Sequence, residues 1–280
     1  YHVGMAARYV FESLARLPVE VDVASEFRYR NPVLEPDSLA LVGDQTQQML
    51  RHYHVDTAVM SCKGIDLEAG VTDSSEFHAQ TKQSMLHCAK KRILILDGAM
   101  GTAIQQYGLT EADFRGSEFI SHPVNLKGNN DILNLTCPEV IRQIHRSYIE
   151  AGADIIETNT FNSNAISQAE YRGEKLVYRL NYAGAKLAVT EARAASHQVY
   201  VAGSMGPTSK TLSLSPDVNR PEFRPVDFDT LVSTYAEQVS GLIDGGVDLL
   251  LVETVFDGLN AKAALYAITQ VQEEKRTSLP

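Results

Sequence analysis

Residues 93–102 read ILILDGAMGT: four apolar residues, an acid, and a turn carrying Gly98 and Gly101. A continuous apolar run of this length suits a strand buried on both faces, as in a parallel sheet. The glycines allow a sharp turn and a close approach of backbone to ligand. Open α/β sheets and barrels place their chemistry beyond the C-terminal strand ends, which is where Asp97 falls. Taken alone, the stretch is equally a strand that ends in an Asp-Gly turn. Recurrence separates the two. Residues 151–161 read AGADIIETNTF and residues 245–256 read GGVDLLLVETVF. Each has a glycine helix stop, an aspartate, an apolar run, Glu-Thr and an aromatic. A further apolar run at 199–202 leads into GSMGPT. Such repetition is the signature of a βα barrel or a doubly wound sheet.

The segments between these runs carry helical periodicity. Thr136-Cys137-Pro138-Glu139 predicts a capping box with Pro in the first turn. Val140, Ile141, Ile144, Tyr148 and Ile149 then share one face, and Gly152 ends the helix. Residues 154–158 form the next strand. Residues 176–195 form a long helix, apolar at Leu176, Val177, Leu180, Ala183, Ala188 and Ala192. Asp229 is expected to cap another helix, with Leu231, Val232, Tyr235, Val239, Leu242 and Ile243 facing inward. A strand at 248–252 and a helix at 259–271 complete the run.

Right-handed crossovers put all four strand exits on one side. Asp97, Glu157, Ser204 and Glu253 then converge, with Asn159, Thr208 and Asp257 near by. Three carboxylates at one mouth call for a cation, either an ammonium group or a metal. No lysine stands at an exit, which disfavours a Schiff-base aldolase. The absence of G-x-G-x-x-G disfavours a dinucleotide.

Composition sets outer bounds. The 280 residues are 44% apolar and 21% charged, with a net charge of −10. Residues 93–280 carry 23 acidic and 15 basic groups, hence −8 of that total, which excludes a nucleic-acid partner for this part. No apolar run approaches the ~20 residues of a membrane span. Cys62, Cys88 and Cys137 are odd in number and form no C-x-x-C pair. They read as reduced thiols of a cytoplasmic protein. His52, His54, His78 and His87 share no metal-ligand spacing with them.

The first third of the chain differs in character. Residues 3–17 show a helical apolar face ended by Pro18, and VEVDV at 19–23 alternates like a strand. The words RYVFESLARLPVEVDVASEFRYR resemble the sugar-isomerase (SIS) domain of glucosamine-6-phosphate synthases. That resemblance implies a sugar-phosphate site, although the serine- and threonine-rich phosphate loops do not follow. From residue 41 the text changes. HVDTAVMSCKGIDLEAGVTDSSEFHAQTKQSM and AKKRILIL resemble the effector-sensing domain of DeoR-type transcription regulators. There, residues 55–60 read as a buried strand, 62–71 as a glycine-containing loop of the effector site, and 76–89 as a helix.

DGAMGT, DFRG, LKGNNDILNLT, AGADIIETNTFNSN, GSMGPTSKTLSLSPDVN and ETVFDGLNAKAA are long, in order and naturally spaced. Together they resemble the homocysteine-binding domain of cobalamin-dependent methionine synthases. The resemblance implies a TIM-type barrel that binds homocysteine at its C-terminal strand ends for S-methylation. By motif, Asp97 and Glu253 would hold the substrate ammonium. Backbone amides around Gly101-Thr102 and Ser204-Met205-Gly206 would receive its carboxylate, and Glu157 and Asn159 would line the floor. The family's zinc, held by three cysteines, generates the thiolate nucleophile. Its cobalamin and methyltetrahydrofolate are carried by further domains. Cys62, Cys88 and Cys137 do not match the zinc-ligand positions, which follow later strands.

The expected fold class is therefore α/β. Residues 93–280 form an incomplete TIM (βα)8-type barrel of about four units. An SIS-like fragment at 1–35 and a DeoR-effector-like fragment at 36–92 precede it. The expected activity is that of a methionine synthase fragment, inactive by itself. A sugar-phosphate or effector-binding module is the alternative, as is a chimera joined near Glu35 and Arg92.

Overall fold

The computed structural model describes residues 33–34, 41–42, 44–52, 54–60, 64–66, 70–72 and 75–280. The chain forms two compact units, divided between Leu94 and Ile95. The helix at 3–17 and the strand at 19–23 lie outside the described residues, and so does Cys62.

In the first unit β1 (Val33–Leu34) pairs antiparallel with β2 (Leu41–Val42). Helix α1 (Asp44–Leu50) follows, then β3 (Val55–Met60), found where the apolar run placed it. The expected loop at 62–71 instead contains a hairpin. Strand β4 (Gly64–Asp66) pairs antiparallel with β5 (Gly70–Thr72), Ile65 opposite Val71. Ile65, Val71 and Thr72 are β-branched and favour extended backbone, a preference that the two flanking glycines mask in a sequence reading. Helix α2 (Glu76–Cys88) leads into β6 (Ala89–Ile95), the partner of β3. The buried Cys88 thiol donates to the Leu50 carbonyl at 2.7 Å, and Gln47 donates to Gln80 at 3.1 Å, tying α2 to α1.

The second unit is built on parallel strands. Leu96 bridges to Ile155 of β7 (Ile155–Glu157). β7 pairs with β8 (Tyr200–Met205), and β8 with β9 (Leu249–Val252), all parallel and in chain order. On β9 the Leu250 amide donates to the Pro280 carbonyl at 2.9 Å, which partly covers that edge of the sheet.

Short helices α3 (Met100–Gln105), α4 (Glu111–Arg115) and α5 (Leu133–Thr136) precede α6 (Pro138–Glu150). The capping box expected at Thr136 does not form. The α6 N-cap is Cys137, and the Thr136 hydroxyl turns back to the Ile132 carbonyl, because Thr136 is already the last residue of α5. A capping box forms at Thr110 and Asp113 of α4 instead. Helix α7 (Ala165–Gln168) is capped by Asn164, and α8 (Val177–Ala194) carries the chain back to β8.

Helix α9 (Phe228–Gly245) starts at Asp227, not Asp229: the Asp227 carboxylate accepts from Thr230 N–H at 2.7 Å. An N-cap oxygen reaches the third helical residue, so Asp227 has the right spacing, while Asp229 sits in the first turn and favours the helix dipole. Gly246 ends α9 in the left-handed region, φ 93°, which only glycine adopts at little cost. Helix α10 (Gly258–Lys275) closes the unit.

The core is the expected one in its centre. Ile141, Ile144, Leu180, Leu187, Ile132, Leu133 and Phe114 form one buried cluster, with Val140 and Tyr148 half-buried at its margin. Helices α8 and α9 meet at backbone distance. A methyl group at Gly241 would stand 2.7 Å from the Tyr178 carbonyl oxygen, and one at Gly245 would stand 2.3 Å from the Ala185 methyl. Gly98 lies against Tyr148 in the same way, with 2.8 Å to the phenol oxygen.

The face of α6 also buries a residue the periodicity did not flag. His145 is fully buried, and neither ring nitrogen has a hydrogen-bond partner among the described residues. Burial pushes its pKa down from 6.5 to about 4, so the folded chain holds it neutral. The unfolded chain takes up a proton below 6.5 that the folded chain refuses, and stability falls as pH drops from 6.5 toward 4. The full effect is roughly 3 kcal/mol. His145→Leu is expected to flatten this acid limb, as read from urea midpoints between the two pH values. An unchanged limb would show that other groups govern it.

Candidate substrate-binding site

The first two strand exits lock to each other. Asp97 N–H donates to the Ile155 carbonyl at 2.9 Å, and the Asp97 carboxylate accepts from Glu157 N–H at 3.0 Å. Asp97 is 4% exposed. The third exit is tied in by hydroxyl groups. Thr158 N–H donates to the Ala202 carbonyl, and the Thr158 hydroxyl accepts from Ser204 N–H at 3.0 Å. Thr160 donates to the Ser204 carbonyl at 2.8 Å, which leaves Thr158 to donate to Thr160 at 2.6 Å. The Ser204 hydroxyl donates to the Glu253 carboxylate, and Glu253 N–H donates to the Met205 carbonyl at 3.1 Å. Asp97 with Glu157 and Ser204 with Glu253 thus form two pairs at the exits, joined by the Thr158 and Thr160 hydroxyls. Thr254, next in chain, has φ 55°, a strained setting for a β-branched residue and one that clusters at functional sites.

The electrostatics follow from this crowding. Burial, then the charge of Glu253, raises the Asp97 carboxyl well above its ordinary value, against the lowering effect of the Glu157 N–H. Glu157 is pushed up to about 9 by burial first, then by Glu253 and Asp97. It is therefore protonated at neutral pH. Among the described residues no Lys, Arg or His forms an ion pair with any of the three acids. A mouth of this kind stabilises an entering cation.

The other expected residues play mixed parts. Gly101 and Thr102 lie in the first turn of α3, ahead of its first helical bond, Ala103 N–H to Ala99 O. Their amides stand where a helix leaves donors available. The Ser204 amide is engaged by Thr158, and the Gly206 amide by the Phe161 carbonyl at 3.0 Å. Those two amides are internal fasteners here and not open anion donors. Asn159 is buried and donates to the Asn130 carbonyl at 2.8 Å and to Asn134 of α5 at 3.1 Å, so both its donors are engaged within the fold.

Asp257 caps α10 and accepts from Leu212 N–H and from the amide and hydroxyl of Ser213. Burial acts to raise its pKa, but these donors together hold it below its ordinary value. Thr208 accepts from Asn260 and donates to the Lys210 carbonyl.

Sequence reasoning missed Thr158, Thr160 and Gln238, the last fully buried and donating to the Thr160 carbonyl at 2.9 Å. It also missed Asp131, held by the Ser163 hydroxyl at 2.7 Å and Asn162 N–H at 3.0 Å beside a cleft of about 210 Å³. Burial raises Asp131 to about 6. The polar word GNND inside an otherwise apolar stretch was the available signal.

A thiolate metal centre does not fit the described residues. Cys137 donates to the Asp113 carbonyl at 3.3 Å, with its pKa raised by burial and by Asp113, and Cys88 is turned to Leu50. Among the described residues no group of three His, Cys, Asp or Glu side chains could hold a metal ion. No helix there is long and apolar enough to cross a membrane.

Parallel βα units with acids at the C-terminal strand ends define an α/β domain. The chain belongs to the homocysteine S-methyltransferase family, whose model matches residues 94–279. The DeoR C-terminal sensor domain model matches residues 32–100. Among solved structures, the metallated form of the homocysteine methyltransferase MmuM from Escherichia coli is similar at 25% identity and a TM-score of 0.50. That match covers 67% of this chain and 61% of that one. The oxidized form of the same enzyme matches at 23% identity and a TM-score of 0.48, over 67% and 60% of the two chains. The chain thus spans about three fifths of the length of these relatives.

The carboxyl cluster carries a stability signature. A carboxyl raised in the folded state stabilises the fold fully below its unfolded value of 4.5, and that contribution is lost as pH rises through about 9. The denaturation midpoint is expected to decline across this window, and Glu157→Gln is expected to remove the decline. A decline of the same size in the variant would place its origin elsewhere.

Proposed function

We propose that the second unit grips homocysteine through its ammonium group, as part of a methyltransferase of the methionine synthase type. The observation that supports this is the set of three carboxyl groups at the strand exits, none of them in an ion pair with a Lys, Arg or His among the described residues. Asp97 and Glu253 face the ammonium group, and Glu157 completes the acidic floor. The first-turn amides at Gly101 and Thr102 receive the substrate carboxylate. Ser204 fixes the rotamer of Glu253 through its hydroxyl. With both charged ends of the amino acid held, the thiol is presented toward the open side of the mouth. Methyl transfer then forms an S–CH3 bond as the thiol proton is lost and the donor–methyl bond breaks.

In the family, zinc would supply the lowered thiol pKa; the described cysteines of this chain do not fit that role, and no step is assigned to it here. Cobalamin and methyltetrahydrofolate belong to the same proposal as donors brought by partner domains.

A second role, effector sensing by residues 32–100, is favoured by the DeoR sensor match alone. Binding of a phosphosugar to the full chain, unaffected by changes at Asp97, would support it.

Calorimetry with the purified 280-residue chain is expected to show homocysteine binding without turnover. Asp97→Asn and Glu253→Gln each remove a charged hydrogen bond of about 1.5–3 kcal/mol, or roughly 10- to 150-fold in affinity. Unchanged affinity in both variants would overturn the assignment.

A further inference from the structure

The cleft of about 210 Å³ beside Asp131 shares none of its lining with Asp97, Glu157, Ser204 or Glu253. Three stretches wall it: the loop around Gly128 and Asp131, the segment from Asn162 through α7 to Tyr171, and residues 207–209 after β8. A methyl group at Gly128 would stand 3.3 Å from the Tyr171 phenol oxygen, so the first two walls close on each other there.

Asp131 is 3% exposed. Both donors that reach its carboxylate, the Ser163 hydroxyl and the Asn162 N–H, end on Oδ1. Oδ2 receives no donor among the described residues, and it is not sealed from solvent, so its acceptor sites open on the cleft that Asp131 lines. Among the described residues no Lys, Arg or His forms an ion pair with Asp131. Burial raises the carboxyl only to about 6, so it is ionised at neutral pH. The other charged residue of the lining, Glu170, is a second acid, exposed and likewise without an ion pair there. The Ser167 hydroxyl and the Asn162 side-chain amide also carry no hydrogen bond among the described residues, only their backbones being engaged.

This set discriminates among ligands. Two carboxylates repel an anion. A metal ion lacks a ligand set, since no group of three His, Cys, Asp or Glu side chains among the described residues could hold one. A neutral molecule leaves the buried negative charge without compensation. An ammonium group brings charge and N–H donors to Oδ2 together. The hydroxyl of Ser167 and the amide of Asn162 suit a hydroxyl group carried by the same molecule.

We propose that this cleft is a second ligand site, one that binds a small hydroxylated amine with its ammonium group on Asp131. Glu170 adds an acceptor from the exposed side, and no covalent bond forms or breaks. The site is separate from the amino-acid grip proposed above and does not rest on it.

The experiment titrates ethanolamine into the isotope-labelled 280-residue chain at neutral pH and follows the Asn162 and Ser163 amide signals by NMR. Ethylene glycol, in which a hydroxyl replaces the ammonium group, is the neutral control. A saturable shift is expected with ethanolamine and none with ethylene glycol. Asp131→Asn keeps the size of the side chain and removes its charge, and is expected to weaken binding by about tenfold or more. Glu253→Gln, at the strand exits, is expected to leave it unchanged. Should Asp131→Asn fail to fold by circular dichroism, the exposed Glu170→Gln is expected to weaken binding as well, and unchanged affinity in it overturns the proposal. Absence of a saturable shift, equal binding of ethylene glycol, or full affinity in Asp131→Asn also overturns it. A shift lost in Glu253→Gln but kept in Asp131→Asn assigns the amine to the strand exits and overturns the second site alone.

Discussion

The second unit hangs on one reciprocal pair of hydrogen bonds: Asp97 N–H to Ile155 O, and Glu157 N–H to the Asp97 carboxylate. Only Leu96 bridges to β7 through the backbone ladder, so the Asp97 side chain acts as an extra rung. That rung is made from a charged group, and making it buries the charge. The geometry that aligns the first two exits therefore also sets a buried carboxyl at the mouth, with its pKa raised by that burial. Fastening thus falls to the residue that is also the proposed ammonium ligand.

The strands were legible because their signal is local. An apolar run closed by an acid, repeated after each glycine helix stop, needs no knowledge of the partner strand. β7, β8 and β9 appear where those runs placed them, their ends offset by at most three residues. Caps were less legible. Asp227 and Asp229 are both plausible, and only the register of the first turn chooses Asp227. Thr136 fails as a cap because the preceding residues already form a helical turn.

At the site, the acids were found because charge at a strand exit stands out. Thr158, Thr160 and Gln238 were not, since a buried hydroxyl or amide is identified by its partners, and those lie more than forty residues away for Ser204 with Thr160 and for Gln238 with Thr160. The amides of Ser204 and Gly206 show the converse. Motif places them at the site, but the fold has already engaged their N–H groups.

Family membership and physical reading meet at different depths. The family match spans residues 94–279. The carboxyl groups, by themselves, argue only for a cation. The amino acid proposed above is a ligand of that charge. The described cysteines satisfy neither a thiolate set nor a disulfide, one being turned to Asp113 and the other to Leu50.

The contact between α8 and α9 has a mechanical consequence. Where Gly241 and Gly245 bring the second helix onto the first, there are no long side chains between the backbones to reorient. Sliding one helix past the other would drive backbone into backbone within a fraction of an ångström. The seam therefore behaves as a rivet, and the strands on either side of it, β7, β8 and β9, inherit its stiffness. Gln238, one turn before Gly241, donates to the Thr160 and Ser204 carbonyls, so the same seam anchors the strand exits at which the amino-acid site is proposed.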